Sequence, residues 1–180
     1  MTPEFRSEAE QLALVERKAL RLPSHGRLDP VQLASAKNVP VIPLGELRWV
    51  PPEHVHRLKR EDRMAFSAAA VVIEDDALIV VNDSHTPQRQ TSSIAHELAH
   101  LILRHPPGPA FGEFGSRTLT PKHEEEAEWL AGCLLVPAKG IKATMLRHGH
   151  SVRRAAEHYG VSVGLMRRRL AQAAYVAAGA

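Results

Sequence analysis

The sequence lacks the features of a secreted or membrane protein. Cys133 is the single cysteine among 180 residues, so no disulfide framework can form, and the thiol is expected to pack as a small buried hydrophobic group. No apolar run approaches the roughly 20 residues that cross a bilayer. The first residues, MTPEFR, lack the basic and then apolar pattern of a signal peptide. We therefore expect a cytoplasmic protein with no membrane association.

A large excess of charge is also absent. The formal net charge is +3, and the surplus of basic residues falls late in the chain, between residues 147 and 169. This distribution permits a nucleic-acid partner but does not require one. There is no internal repeat, and the length suits one domain or one domain with an appendage.

The most informative feature that is present is His-Glu-Leu-Ala-His at residues 96–100. In a helix, His96 and His100 lie one turn apart on the same face, so both imidazoles can reach one metal ion. Glu97 projects about 100° away from His96, where it is badly placed as a ligand but can reach a water molecule on the metal. This combination suits hydrolysis at zinc. The alternative is a surface helix that matches the pattern by chance.

The surroundings of the motif favour a buried helix. Thr86-Pro87 is typical of a helix start, and Pro106-Pro107 cannot continue a helix. Between them, Ile94, Leu98 and Leu101 form an apolar stripe that the two histidines border. A chance match on a solvated surface helix is therefore disfavoured.

A third ligand has to come from another segment, because catalytic zinc usually takes three protein ligands and water. One known arrangement would need glycine at 103 and histidine at 106, where this chain has Leu103 and Pro106. A second helix is predicted from Thr120-Pro121 to the residue before Pro137. Its acidic first turns are the better source of the ligand.

Periodicity selects Glu124 among the four glutamates of this second helix. The inward stripe of the helix, extended back from Leu134 and Ala131, reaches Glu124. Glu125 and Glu126 then point to the flank and to the opposite face, so we expect neither to take part in metal binding.

Several polar neighbours remain as alternatives or as supporting groups. Glu128, one turn after Glu124, is an alternative ligand or a hydrogen-bond partner of a ligand. His123 lies about 100° from Glu124 on the other edge of the stripe. Arg89, on the helix of the two histidines, is expected to anchor neighbouring groups. Candidate donors to the oxyanion of a hydrolytic reaction are His85, His105, His123 and Tyr159, each of which also has a structural explanation.

Two segments carry a resemblance to a known family. Residues 89–100 (RQTSSIAHELAH) together with residues 124–137 (EEEAEWLAGCLLVP) resemble the ImmA/IrrE family of zinc metallopeptidases. The resemblance extends over roughly residues 63–170. It implies a zincin-like α+β fold with His96, His100 and Glu124 as ligands of Zn²⁺ and Glu97 as the catalytic base. Glu128 is a departure, because the family often has Asn or Asp there.

The resemblance also implies a role. It points to selective cleavage of an intracellular regulatory protein, often a helix-turn-helix transcriptional repressor, in stress response or in the control of mobile elements. One alternative is a zinc-containing regulator that binds DNA or a protein partner without proteolysis. Another is the toxin-like half of a two-protein module. Binding to nucleic acid is possible in principle but is not favoured.

The remaining segments complete an α+β arrangement, a small sheet followed by helices. We expect residues 1–145 to form the peptidase domain and residues 146–180 to form a helix-turn-helix-like segment packed on it. Its arginines 167–169 are candidate phosphate contacts. The favoured alternative is a pair of helices that close the peptidase core, with these arginines on the solvated side. Residues 45–62 are predicted to be a loop or a flexible excursion. The predicted elements are helices at 3–20 and 30–37, a strand at 39–43, and a hairpin of strands at 67–73 and 77–81.

Overall fold

The computed structural model describes residues 1–74, 76–106 and 120–178. The proline- and glycine-rich sequence between the two predicted ligand-bearing helices predicts a loop, and residues 107–119 of it lie outside the described residues. The described elements are, in chain order, α1 (Pro3–Ala19), α2 (Pro30–Ala36), β1 (Val41–Pro43), α3 (Pro52–His56), β2 (Ala68–Ile73), β3 (Asp76–Val81), α4 (Pro87–Ile102), α5 (Pro121–Leu135), α6 (Ala138–Arg147), α7 (Val152–Tyr159) and α8 (Val163–Ala178). The predicted α+β class is confirmed.

The three strands form one sheet in the order β1-β3-β2. Strand β3 is central: it pairs in parallel with β1, where Val41 faces Ile79, and antiparallel with β2, where Ala70 faces Ile79. Ile79 and Val81 belong to the main core under the helices, while Val80 belongs to a smaller cluster on the other face. Both faces of this small sheet are therefore covered.

The prediction for residues 45–62 was wrong, because this segment forms the second covering layer. A 3₁₀ turn at Leu44–Glu46 precedes α3, and a wide helical turn at Arg57–Glu61 follows it. Leu44, Leu47 and Leu58 pack against Val80 on the outer face of the sheet. Asn82, which is fully buried, fixes the segment further because its side-chain amide donates to the carbonyl oxygens of residues 58 and 66 at 3.0 Å each.

The two predicted ligand-bearing helices begin and end where the sequence indicates. Thr86 precedes Pro87 at the start of α4, and Thr120 precedes Pro121 at the start of α5, where its hydroxyl accepts from a backbone N–H of the first turn. The helices pack closely against each other. Ala99 of α4 and Ala127 of α5 are fully buried in the shared core, and such small residues let two helix backbones approach.

The last helix closes the core against the first. Arg169 of α8 is 1% exposed, and its guanidinium forms an ion pair with Glu10 of α1 and donates to the carbonyl oxygen of Val136 at 2.9 Å. Gly160, with φ of 71°, forms the turn between α7 and α8. The expectation that the arginines at 167–169 lie on the solvated side was wrong for Arg169, whose burial also removes it from the candidate phosphate contacts. The division into residues 1–145 and 146–180 stays a prediction.

No single helix within the described ranges combines the length and apolarity needed to cross a bilayer. Helices α5 and α6 reach that length and apolarity only when taken together, and they are bent by 44° relative to each other.

Candidate metal centre

His96, His100 and Glu124 come together at the contact between α4 and α5. His96 Nε2 lies 3.0 Å from His100 Nε2 and 3.2 Å from Glu124 Oε2, and His100 Nε2 lies 3.7 Å from Glu124 Oε1. The side chain of His100 is buried, while those of His96 and Glu124 are 23% and 47% exposed. The group is thus open to solvent on one side and enclosed on the other.

The spacing of these donors fits a shared metal ion. Atoms that bind one tetrahedral zinc ion at about 2.0–2.1 Å lie about 3.3 Å from each other. The three observed separations, from 3.0 to 3.7 Å, bracket that value. Among the described residues, this is the one set of three histidine, cysteine or acidic side chains close enough to hold an ion.

Glu97 is held beside the group by the edge of the sheet. Its side chain is 4% exposed, and Oε2 accepts a hydrogen bond of 2.9 Å from the backbone N–H of Ala70 in β2. Ala68 and Ala70 share the face of β2 that packs against the main core, and their small side chains leave room for α4 to approach the strand. The carboxylate is therefore tied to the backbone of β2.

Glu128 lies behind His96 and connects it to α8. One carboxylate oxygen lies 3.8 Å from His96 Nδ1, and the other forms an ion pair with Arg168. Glu128 is not part of the group of three, and it faces the second ring nitrogen of His96. Carboxylates that face the second nitrogen of a ligating histidine orient the ring and increase its basicity.

His105 and Glu126 form a chain behind His100 that sequence reasoning missed. His105 Nδ1 lies 2.9 Å from His100 Nδ1, and His105 Nε2 lies 3.3 Å from Glu126 Oε2. The expectation that Glu126 faces away from the site was wrong, since its side chain is 14% exposed and points toward the end of α4. Burial lowers the pKa of His105, and His123 lowers it further against the opposing effect of Glu126.

The other candidates from the sequence lie outside the group of three. His123 stacks on His105 with ring centroids 4.6 Å apart. Arg89 donates to the hydroxyl of Ser67 at 2.8 Å and so ties α4 to the start of β2, as an anchoring role predicts. His85 Nε2 is 2.7 Å from a backbone oxygen at residue 63. Tyr159 is fully buried against Thr144, and burial raises the pKa of its hydroxyl. Neither of these last two groups faces the metal group.

A groove lies along the first half of α4. It is bounded by α4, α5 and α8, and its lining includes Arg89, Ser92, Glu128 and Arg168. Glu128 connects this groove to the candidate centre, because it also faces His96 Nδ1, the ring nitrogen that points away from His100 and Glu124.

Comparison with known proteins identifies a family. The family model Peptidase M78, described as the IrrE N-terminal-like domain, matches residues 54–171, which is well over half of the chain and includes both ligand-bearing helices. A search of curated proteins found no match.

Proposed function

Because the chain belongs to the Peptidase M78 family, we propose that it is a zinc-dependent endopeptidase that cleaves one regulatory protein of the cytoplasm. The observation that carries this proposal is the convergence of His96, His100 and Glu124 within 4.8 Å of one another, with the carboxylate of Glu97 fixed beside them. Family membership supports the peptidase class. The choice of zinc and the identity of the substrate are our own inference.

The donor set favours zinc over harder cations. Two imidazole nitrogens and one carboxylate are typical of catalytic zinc sites, whereas magnesium and calcium prefer oxygen ligands. Zinc held there would polarise the carbonyl of the scissile bond and make water a nucleophile near neutral pH. His96, His100 and Glu124 are the proposed ligands.

Glu97 is the proposed general base. Its carboxylate takes a proton from the attacking water as the new carbon–oxygen bond forms, and it returns that proton to the nitrogen when the carbon–nitrogen bond breaks. The hydrogen bond from Ala70 leaves the carboxylate in one orientation during both transfers. A base that is positioned before the reaction avoids the entropic cost of ordering it in the transition state.

The outer edge of β2 is the proposed docking line for the substrate backbone. Strand β2 lies at one end of the sheet, so one side of it has no neighbouring strand among the described residues. The Ala70 N–H that holds Glu97 belongs to this outer side, which places the edge next to the reacting groups. An extended segment that pairs with such an edge is bound through main-chain hydrogen bonds, and side-chain pockets add specificity.

The resemblance to the ImmA/IrrE family supports a helix-turn-helix transcriptional repressor as the substrate. Arg169 is buried against Glu10 and Arg168 pairs with Glu128, which weakens the rival hypothesis in which residues 167–169 bind DNA. A DNA-binding regulator needs its basic groups exposed to phosphates.

The function is tested by comparing the chain with its Glu97→Gln variant. The introduced side-chain amide keeps a carbonyl oxygen that accepts from Ala70, so fold and metal content should remain while hydrolysis falls by about 10²- to 10⁴-fold. The readout is the set of new protein amino termini that appear in cells expressing each form, and any repressor encoded beside the gene is examined first. The matched control is Glu125→Gln, which removes an exposed charge from α5, and this variant should cleave the substrate normally.

Metal analysis decides the ligand assignment independently. About one zinc per chain is expected from a single ligand set, and His96→Ala or His100→Ala should abolish binding. Cleavage that is identical in the Glu97→Gln variant, or full zinc occupancy in both histidine variants, would contradict the proposal.

A further inference from the structure

The end of α4 folds back so that His105 reaches a histidine of the metal group. The Arg104 N–H donates to the carbonyl oxygen of Leu101 at 3.1 Å, and the His105 N–H donates to that of His100 at 3.0 Å. Arg104 itself has φ of 53°, in the left-handed region. This is the hydrogen-bond pattern of a Schellman motif, which usually has glycine where Arg104 stands. The motif directs the side chain of His105 back over the last turn of the helix.

The turn creates a continuous line of polar atoms from α4 to α5. It runs from His100 Nδ1 to His105 Nδ1 at 2.9 Å, and from His105 Nε2 to Glu126 Oε2 at 3.3 Å. Lys122 lies 3.7 Å from the other oxygen of Glu126, at the solvent end. The side chains of His105 and Glu126 are 7% and 14% exposed, so water competes little for these contacts.

We propose that His105 and Glu126 are positioning residues that fix the tautomer and ring orientation of His100. The inference rests on the proposed function, because it takes His100 to be a ligand. A carboxylate only accepts hydrogen bonds, so Glu126 requires the proton of His105 to be on Nε2. His105 Nδ1 is then an acceptor, and the proton of His100 is on Nδ1. This leaves the lone pair of His100 Nε2 directed toward His96 and Glu124.

With a single proton on each imidazole, the opposite proton arrangement is incompatible with this line of contacts. If the proton of His100 were on Nε2, that atom could not bind a metal, and Nδ1 would need a donor from His105. His105 Nε2 would then face Glu126 with a lone pair, which is repulsive against a carboxylate. Hydrogen bonds of this kind to the second nitrogen of a ligating histidine typically change metal affinity by about 10- to 100-fold.

The test measures zinc affinity by competition with a chelator of known affinity. His105→Phe keeps a flat ring against His123 but removes both nitrogens, and it should weaken binding by about 10- to 100-fold. Glu126→Gln keeps the size and an accepting oxygen but removes the charge, so a loss of roughly tenfold, the low end of that range, is expected. Glu125→Gln is the matched control and should bind zinc unchanged.

A second measurement separates positioning from a general loss of structure. Nitrogen-15 NMR of the metal-free chain reports which imidazole nitrogen of His100 carries the proton, and we expect Nδ1. Glu126→Gln should shift this population toward Nε2–H while the unfolding temperature of the metal-free protein stays within the range of the Glu125→Gln control. If His105→Phe does not fold, Glu126→Gln alone decides.

The failures of the two proposals are distinguishable. If His100→Ala retains full zinc occupancy, the metal site itself is wrong. If His100→Ala loses zinc while His105→Phe and Glu126→Gln bind it as tightly as the unchanged chain, only the positioning role is overturned. A His100 protonated on Nε2 in the metal-free chain would also overturn it.

Discussion

Replacing Arg169 by alanine should destabilise the whole fold. This guanidinium is among the largest fully buried side chains of the protein. It forms an ion pair with Glu10, whose second oxygen accepts from the backbone N–H of Ala138 at 3.0 Å, and it donates to the carbonyl oxygen of Val136. The substitution would leave the charge of Glu10 buried without its cation and the Val136 oxygen without this donor.

The expected magnitude follows from that burial. Removing one partner of a buried ion pair typically lowers the free energy of unfolding by about 3–5 kcal/mol. For a chain of this length, each kcal/mol shifts the melting temperature by about 2–4 °C, so a decrease of about 6–20 °C is expected. A domain has only about 5–15 kcal/mol of stability in total, so the variant should be close to unfolding at physiological temperature.

Thermal unfolding, monitored by circular dichroism, measures the change in melting temperature, and urea unfolding measures the change in the free energy of unfolding. Arg167→Ala, on the same helix and exposed, is the control and should change the free energy of unfolding by less than about 0.5 kcal/mol. If Arg169→Ala melts together with this control, the inference that α8 is an integral part of the core is wrong. The double variant Arg169→Met with Glu10→Gln should recover much of the loss, because it removes both charges together.

Three further outcomes are expected. Gly140→Ala should lower the free energy of unfolding, measured by urea titration, by about 1–3 kcal/mol, because the added Cβ would lie 2.1 Å from the carbonyl oxygen of Ser24. The control is Gly164→Ala, where an added Cβ meets nothing closer than 3.8 Å, and this variant should not be destabilised. Burial of Asp83 opposes its ionisation, but hydrogen bonds from Lys59 and a backbone N–H outweigh it and lower the pKa. The contribution of Asp83 to the free energy of unfolding is therefore present above the unfolded-state pKa and is lost as the pH falls through the folded-state pKa. Below about pH 4, the unchanged chain should lose stability more steeply than the Asp83→Asn variant. A series of urea titrations at different pH values measures this difference. Chelation of bound metal should lower the melting temperature, and zinc should restore it in a concentration-dependent way, because a ligand of the folded state alone stabilises that state; a melting temperature indifferent to zinc would contradict the metal site.

The helices of the site could be predicted from the sequence because their ends carry local signals. A hydroxyl residue before proline marks the start of α4 and of α5, and a proline lies within four residues after the last residue of each helix. Helical period then brings His96, His100 and Glu124 to facing sides, and the structure places their donor atoms within reach of one another. These features depend on residues three or four apart, which is the range over which sequence patterns are informative.

The features that the sequence did not predict depend on longer-range packing. Residues 45–62 read as a loop because prolines and charges dominate them, yet Leu47, Val55 and Leu58 cover the outer face of β3. Glu126 points away from Glu124 on an isolated helix, but α5 has neighbours on more than one side. After α4, the chain reaches the Glu126 side of α5 through the left-handed turn at Arg104, and the sequence has no glycine at that position to indicate such a turn. The periodicity of a single helix or strand predicts neither the packing of residues 45–62 on β3 nor the contact between Glu126 and His105.

The ion pair between α1 and α8 also determines at what stage of synthesis the protein can complete its fold. Residues 10 and 169 are almost the full chain apart, and contacts of such long sequence separation form late and slowly in folding. All three candidate ligands have been synthesised once the ribosome reaches residue 124, and Glu128 follows shortly after. At about 5–20 residues per second, the ribosome needs a further 2–8 s or so to reach Arg168 and Arg169, which support Glu128 and close the core. The growing chain therefore carries the candidate ligands before it has the helix that supports Glu128, and the candidate centre is completed only after α8 has been made.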